Sequence, residues 1–380
     1  MNIKTHKLLD VCTIIAGQSP ESKYYNTDGN GIPFFQGKAD FGELYPTIRV
    51  YCSQPTKIAE KDDILLSVRA PVGPTNLAPC KVCIGRGLTA IRPNETLNLK
   101  YLLFYFRFFE AQLQQKGTGT TFKAITQDTI KNLEIPVPSL PEQERIAARI
   151  EELFSELDKS VETLKKTKAQ LAVYRQAVLK EAFEGIEEKI SFGEIIDSRL
   201  GKMLDKTKNI GTPRHYLRNI NVRWFSFDLS DMLEMKIADD EIEKYSINKN
   251  DLVICEGGEP GRCAVWDKDY SIFYQKALHR VRFTDGSNPK FYMFYLWFSA
   301  QTGELTKYYT GTGIRHLTGQ SLNKITVPKA LRNIQDEIVL EIESRLSVCD
   351  NIEKTVDTAL QEAEAMQQSI LKQAFEGKLI

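Results

Sequence analysis

From Ile146 onward, apolar side chains recur at alternating steps of four and three: Ile150, Leu153, Leu157, Leu164, Leu171, Tyr174 and Val178, with Ser160 and Thr167 as the polar members. A repeat averaging about 3.5 residues is a heptad seam, so the spacing predicts a helix of about forty residues, roughly 60 Å long. The pattern returns as Ile338, Ile342, Arg345, Cys349, Ile352, Val356, Ala359, Ala363, Met366 and Ile370, with Arg345 its one charged member. Both stretches run without Gly or Pro to "FEG", where Gly185 and Gly377 supply the expected stops. The small Ala359 and Ala363 suit bulkier residues opposite, which points to a coiled coil between the two helices.

The helices belong to a longer repeat. "AVLKEAFEG" (177–185) matches "SILKQAFEG" (369–377) at an offset of 192, and "LEIPVPSLPEQERI" (133–146) falls on "ITVPKALRNIQDEI" (325–338). Gln143 thereby meets Gln335. At an offset of 190, "KYLLFYF" (100–106) meets "KFYMFYL" (290–296); at 188, "DDILLS" (62–67) meets "NDLVIC" (250–255). Nearer the N-terminus "PFFQGKADFG" (33–42) resembles "HYLRNINVRW" (215–224) only in its extended, aromatic-basic character. A period near 190 marks a duplicated domain rather than a solenoid. Ahead of each long helix, short β runs such as "DILLSV" (63–68) alternate with Gly/Pro loops, and one amphipathic helix stands near 98–115 and again near 289–307. The expected fold is α+β: two mixed α/β domains, 1–140 and 186–330, separated by helical segments 141–185 and 331–380 that pair as an antiparallel coiled coil with pseudo-twofold symmetry.

Charge changes this picture little. The net charge is zero, but residues 1–140 carry 16 Lys/Arg against 12 Asp/Glu and 191–330 carry 20 against 17, whereas 331–380 carry 5 against 10. Two mildly basic blocks permit a polyanionic partner without requiring one. The start "MNIKTHKLLD" has no apolar core of a secretory signal, "YLLFYFRFF" is too short to cross a bilayer, and seven irregularly spaced cysteines suit reduced thiols. A cytoplasmic protein with no membrane partner is expected.

Groups for catalysis are not apparent. The sequence has no G-x-x-x-x-G-K-[ST], and "GTGTT" (117–121) lacks the lysine of a phosphate cradle. No G-x-G-x-x-G opens a helix after a strand. Cys80 and Cys83 form one C-x-x-C with no second pair to complete a metal site, and "CEGGEPGRC" (255–263) aligns with "SVRAPVGPT" (67–75), so it reads as a loop rather than a redox pair. His6, His215, His279 and His316 are scattered. No catalytic residue, metal or cofactor is assigned to this chain.

Two related domains on antiparallel helices suit duplex DNA, whose backbone has twofold symmetry. Lys and Arg neutralise phosphates, and Arg, Asn and Gln read base edges. The candidate DNA-binding residues in Gly/Pro loops are Gln36, Lys38, Arg69, Arg86 and Lys123 in the first copy, and Arg218, Asn219, Arg223, Arg262, Lys276 and Arg315 in the second.

With these parts in order, the chain resembles the specificity (S) subunit of a type I restriction–modification system, the HsdS family, over nearly its whole length. The resemblance rests on the helix entry "IPVPSLPEQERIAARIEELF" (135–154), its copy "VPKALRNIQDEIVLEIESRL" (327–346), and the exits "LKEAFEG" and "LKQAFEG". The second copy has Asn333 where the first has Pro141, which bears on where that helix starts. The resemblance implies a non-enzymatic subunit whose two target-recognition domains each read half of a bipartite, asymmetric site on double-stranded DNA. It implies helices that measure the spacer and dock two modification (M) subunits, which bind S-adenosylmethionine and methylate adenine, with restriction (R) subunits added for cleavage. Loops 26–45 and 205–240 should differ if the half-sites differ. Two other readings remain open: a fused methyltransferase or nuclease with an unrecognised site, and a coiled-coil adaptor that binds only protein.

Overall fold

The computed structural model describes residues 4–117, 124–205 and 207–379. Two compact units emerge: Met1–Leu164 with Thr358–Ile380, and Lys165–Asp357.

In the first unit "DILLSV" supplies the strand Ile64–Ser67, inside an antiparallel sheet ordered Cys12–Ala16, Leu88–Pro93, Ile64–Ser67, Thr75–Leu77. Ile64, Leu65 and Leu66 are apolar in succession because both faces of the sheet are covered. Ile64 and Leu66 pack with Tyr101, Leu102 and Phe106 of helix α1 (Leu99–Lys116). Leu65 faces the other way, into Phe35, Val82 and Ile84 of a five-stranded sheet. In that sheet Ile32–Phe35 runs parallel to Val82–Ile84, pairing Phe34 with Cys83 and Phe35 with Ile84.

The second unit repeats the plan. Its main sheet runs Ile196–Leu200, Leu278–Phe283, Leu252–Cys255, Cys263–Val265, and Thr212–Leu217 lies parallel to Ile272–Tyr274, pairing Leu217 with Tyr274. The weakly matched stretches at 33–42 and 215–224 are therefore structural counterparts. The parallel pair is held by backbone bonds, which leave the side chains free to diverge. Helix α2 (Leu140–Glu184) precedes this unit's first strand, and α3 (Pro289–Gln301) covers its sheet as α1 covers the first. The last helix, α4 (Arg332–Phe375), starts 192 residues after α2, so Asn333 in place of Pro141 does not move the start.

The motif glutamine fastens each long helix to its domain. Gln143, fully buried, accepts from the backbone N–H of Asn98 (2.7 Å) and donates to the carbonyls of Thr96 (3.0 Å) and Pro138 (2.8 Å). Asn98 in turn caps α1. Gln335 accepts from Asn288 N–H (2.7 Å) and donates to the Ala330 carbonyl (2.9 Å) and the Ser287 hydroxyl (3.3 Å). Beside them Lys100 pairs with Glu151 and Lys290 with Glu343.

Within each unit the long helices run antiparallel. In the first, Ala147 and Ile150 share a core with Ile370, Leu371 and Ala374. In the second, Lys168 meets Asp357, Arg175 meets Asp350, and Arg345 meets Glu181 and the Tyr174 hydroxyl. The heptad seam needs correction at four places. Val161 rather than Ser160, and Arg175 rather than Tyr174, turn inward on α2; Glu353 rather than Ile352, and Gln367 rather than Met366, do so on α4. Arg175 and Glu353 make a 2.8 Å ion pair, and that charged layer displaces the apolar neighbours to solvent. A polar layer of this kind fixes helix register.

The repeated nonamers dock as aromatic plugs. Phe183 meets Phe291, Tyr295 and Phe298 in the second unit, and Phe375 meets Tyr101, Tyr105 and Phe108 in the first. Each unit is thus closed by the tail of the other sequence repeat. Among the described residues no helix is long and apolar enough to cross a membrane.

Candidate nucleic-acid interface

Hydrogen bonding gathers the first copy's candidates at one end of its two sheets. Gly85 N–H donates to the Phe35 carbonyl, setting the tip 85–87 beside Gln36. The fit is close: a Cβ on Gly87 would lie 2.4 Å from the Gln36 carbonyl oxygen. Gln36 Nε2 donates to Ser19 Oγ (2.9 Å), which also receives the Arg86 backbone N–H (3.3 Å). Val68 N–H donates to the Gly87 carbonyl and Ile125 N–H to that of Val68, bringing Arg69 into the group through its bridge with Ala124. Lys38 stands in the adjoining 3-10 turn. Lys38, Arg69 and Arg86 are exposed, with no ion pair among the described residues. Lys123 and most of "GTGTT" lie outside the described residues.

The second copy builds the same cluster with different side chains. Gln275 N–H donates to the Leu217 carbonyl, Glu256 N–H to Ala277, and Leu317 N–H to Glu256. These bonds assemble Arg218, Asn219, the loop 256–261, Lys276 and Arg315. Here most of the candidate cations are held. Arg218 donates to Asp231 Oδ2 and to its carbonyl (both 2.7 Å), and Arg223 lies 3.5 Å from Asp228. Arg262 donates to Glu259 Oε2 (2.7 Å) and to the Asn219 carbonyl (2.9 Å). Glu259 also receives the Trp224 indole N–H (2.7 Å), and Asn219 Nδ2 donates to the Gly257 carbonyl (2.9 Å). Asn219 Oδ1 and the Nε atoms of Arg218 and Arg262 are buried without a partner among the described residues. Lys276 and Arg315 are exposed and unpaired among the described residues.

Sequence reasoning missed the holders Ser19, Asp231, Glu259 and Trp224. Carboxylates three to thirteen residues from an arginine carry no signal of their own; only the folded turn brings them together. All seven cysteines are free, and burial pushes the Cys255 thiol up to about 11 and that of Cys263 well above its usual range. Such thiols are poor nucleophiles. Among the described residues no cluster of three His, Cys, Asp or Glu side chains could hold a metal ion.

Comparison with known proteins gives these clusters a setting. Residues 2–171 and 189–362 match the profile of the type I restriction modification DNA specificity domain, once for each repeat. The chain belongs to that family. Among its relatives, the putative type I restriction enzyme MjaX specificity subunit of Methanocaldococcus jannaschii is 40% identical over 173 residues, 45% of this chain and 40% of that protein. The type I restriction enzyme EcoKI specificity subunit of Escherichia coli is 22% identical over 371 residues, 90% of this chain and 80% of that one. In fold, a chain from a structure on complex assembly and conformational transition of the type I R-M system matches with a TM-score of 0.80 at 18% identity, covering 99% and 98% of the two chains. The HsdS subunit from Thermoanaerobacter tengcongensis matches at 0.62, also with 18% identity, covering 99% and 97%. A type I specificity chain is a DNA-recognition component rather than a catalyst, and it acts together with modification and restriction subunits.

Proposed function

We propose that residues 1–140 and 186–330 are target-recognition domains, each reading one half of a bipartite, asymmetric site on double-stranded DNA. The loop clusters around Gln36, Lys38, Arg69 and Arg86, and around Arg218, Asn219, Arg223, Arg262, Lys276 and Arg315, form the contact surfaces. Two M subunits dock on the helical segments and methylate adenine, R subunits join for cleavage, and the complex works in the cytoplasm. One observation carries this reading: the same backbone bonds mount both clusters while the side chains they present differ. A shared mount with different contacts is what reading two unlike half-sites requires.

Replacing 1–140 with the corresponding block of a relative, followed by methylome sequencing in a host that supplies the M subunits, tests it. One half of the methylated motif should change and the other should stay. A change in both halves, or in neither, overturns the assignment of one half-site to each domain. Methyl transfer from S-adenosylmethionine by the purified chain alone would overturn the non-catalytic role.

A further inference from the structure

Aligned through their shared bonds, the two loop clusters differ almost everywhere. Gln36 corresponds to Arg218, Gly37 to Asn219, Ser19 to Met203 and Arg69 to Gly257. Two positions stay basic: Arg86 at the tip 85–87 corresponds to Lys276 at the tip 275–277, and Lys123, which lies outside the described residues, corresponds to Arg315. Three homologous backbone bonds fix both tips. Gly85 N–H to Phe35 matches Gln275 N–H to Leu217, Leu88 to Gly85 matches Leu278 to Gln275, and Val68 to Gly87 matches Glu256 to Ala277. A fourth bond ties the tip residue itself, from Arg86 N–H to Ser19 Oγ and from Lys276 N–H to the Lys202 carbonyl. Both side chains are exposed on a rigid base and lack an ion pair among the described residues. Of the other cations common to the copies, Arg92 and Arg282 are paired with Asp63 and Asp251, and Lys100 and Lys290 with Glu151 and Glu343, whereas Arg315 is exposed like Lys276.

Resting on the reading above, we propose that Arg86 and Lys276 are matched phosphate anchors, whereas Gln36, Arg69, Arg218 and Asn219 carry base choice. Domains that read different bases must differ where they touch bases. What they keep in common contacts what every duplex shares, the charged backbone. Arg and Lys are interchangeable as point charges toward a phosphate but not in bidentate base readout, so the Arg-to-Lys difference between the copies fits an anchor.

The test uses the full chain in complex with its M subunits. Affinity for cognate and unrelated duplexes is measured against salt for the wild type, Arg86→Ala, Lys276→Ala, Arg86→Lys, Lys276→Arg and Arg69→Gly. Each alanine variant should weaken both duplexes by the same factor and lower the slope of log affinity against log salt by about 0.9, the contribution of one phosphate contact. The charge-preserving variants should restore the slope, and Arg69→Gly should narrow the cognate-to-unrelated ratio. An altered methylated motif or an unchanged slope in Arg86→Ala and Lys276→Ala, with wild-type discrimination intact, overturns the anchor assignment alone. A wild-type complex that shows no cognate preference overturns both the anchors and the recognition reading beneath them. Unchanged thermal unfolding of the alanine variants is the expected control, since both side chains point to solvent.

Discussion

In the first unit Lys38, Arg69 and Arg86 stand exposed without a carboxylate partner among the described residues, while in the second Arg218, Arg223 and Arg262 are each held by one. Beneath these loops the units are fastened alike, by Gln143 and Gln335, by Lys100–Glu151 and Lys290–Glu343, and by an aromatic plug at Phe375 and Phe183. The contrast separates two kinds of bond. Those that mount the loops are made by backbone or by motif residues and recur; those at the tips are side-chain choices and do not. It also predicts a difference in binding. A held arginine loses little entropy on meeting DNA but must exchange its acidic partner, whereas a free one loses side-chain freedom.

The plugs offer the largest test. Phe183 belongs to the first sequence repeat yet packs in the second unit, where it is 7% exposed. Phe183→Ala should cost about 3–5 kcal/mol in denaturant unfolding. Amide protection should fall around Phe291–Phe298 rather than around Tyr101–Phe106. Phe375→Ala, at a half-buried position, should cost about 2 kcal/mol and loosen the first unit. Protection lost in the opposite unit would break the correspondence between the plugs.

Next come the glutamines. Gln143→Ala leaves one half-buried backbone N–H and two carbonyls without their partner, and about 1–3 kcal/mol of stability should go with them. Gln335→Ala should cost less, because one of its partners is the Ser287 hydroxyl, which keeps the bond it donates to Asp285 Oδ2 (2.9 Å) and loses only an accepted one. Equal losses in the two variants would mean that the hydroxyl depends on the glutamine as fully as a carbonyl does.

These fastenings are also what the sequence made legible. Gln143 and Gln335, "FEG" and the heptad spacing recur because each serves a packing or bonding need that few residue types meet. Helix starts, the α1 and α3 pair and the strand "DILLSV" followed directly. The inward turn of Arg175 and Glu353 did not, because a charged residue joins a seam only when its partner on the other helix is known. Nor did the holding of Arg218 by Asp231 or of Arg262 by Glu259, which depends on turn geometry. The candidate residues include side chains that the fold does bring together, but their sequence could not tell free cations from held ones.

The smallest expected difference concerns acid. His279 lies in the strand Leu278–Phe283, buried, its Nε2 2.9 Å from the Leu317 carbonyl oxygen. Burial holds its pKa below the ordinary 6.5, against the opposing pull of that carbonyl and of the nearby Glu256. The matching residue of the first unit is Thr89, equally buried and unable to titrate in this range. Because the folded imidazole resists a proton that the unfolded chain accepts, stability is intact above about pH 6.5 and falls as pH drops below it. Each unit of pKa depression is worth about 1.4 kcal/mol once the pH lies below both values. His279→Thr gives the second unit the residue of the first. It should lose some stability at pH 7, where the bond to Leu317 is given up, and its unfolding free energy should then decline less than that of the wild type between pH 7 and pH 5. Other carboxylates and histidines titrate in both proteins and cancel in the difference, so the gap between the two should narrow toward acid. A gap that stays constant across that range would show that His279 protonates as readily folded as unfolded, and the two units would then respond to acid alike at this strand.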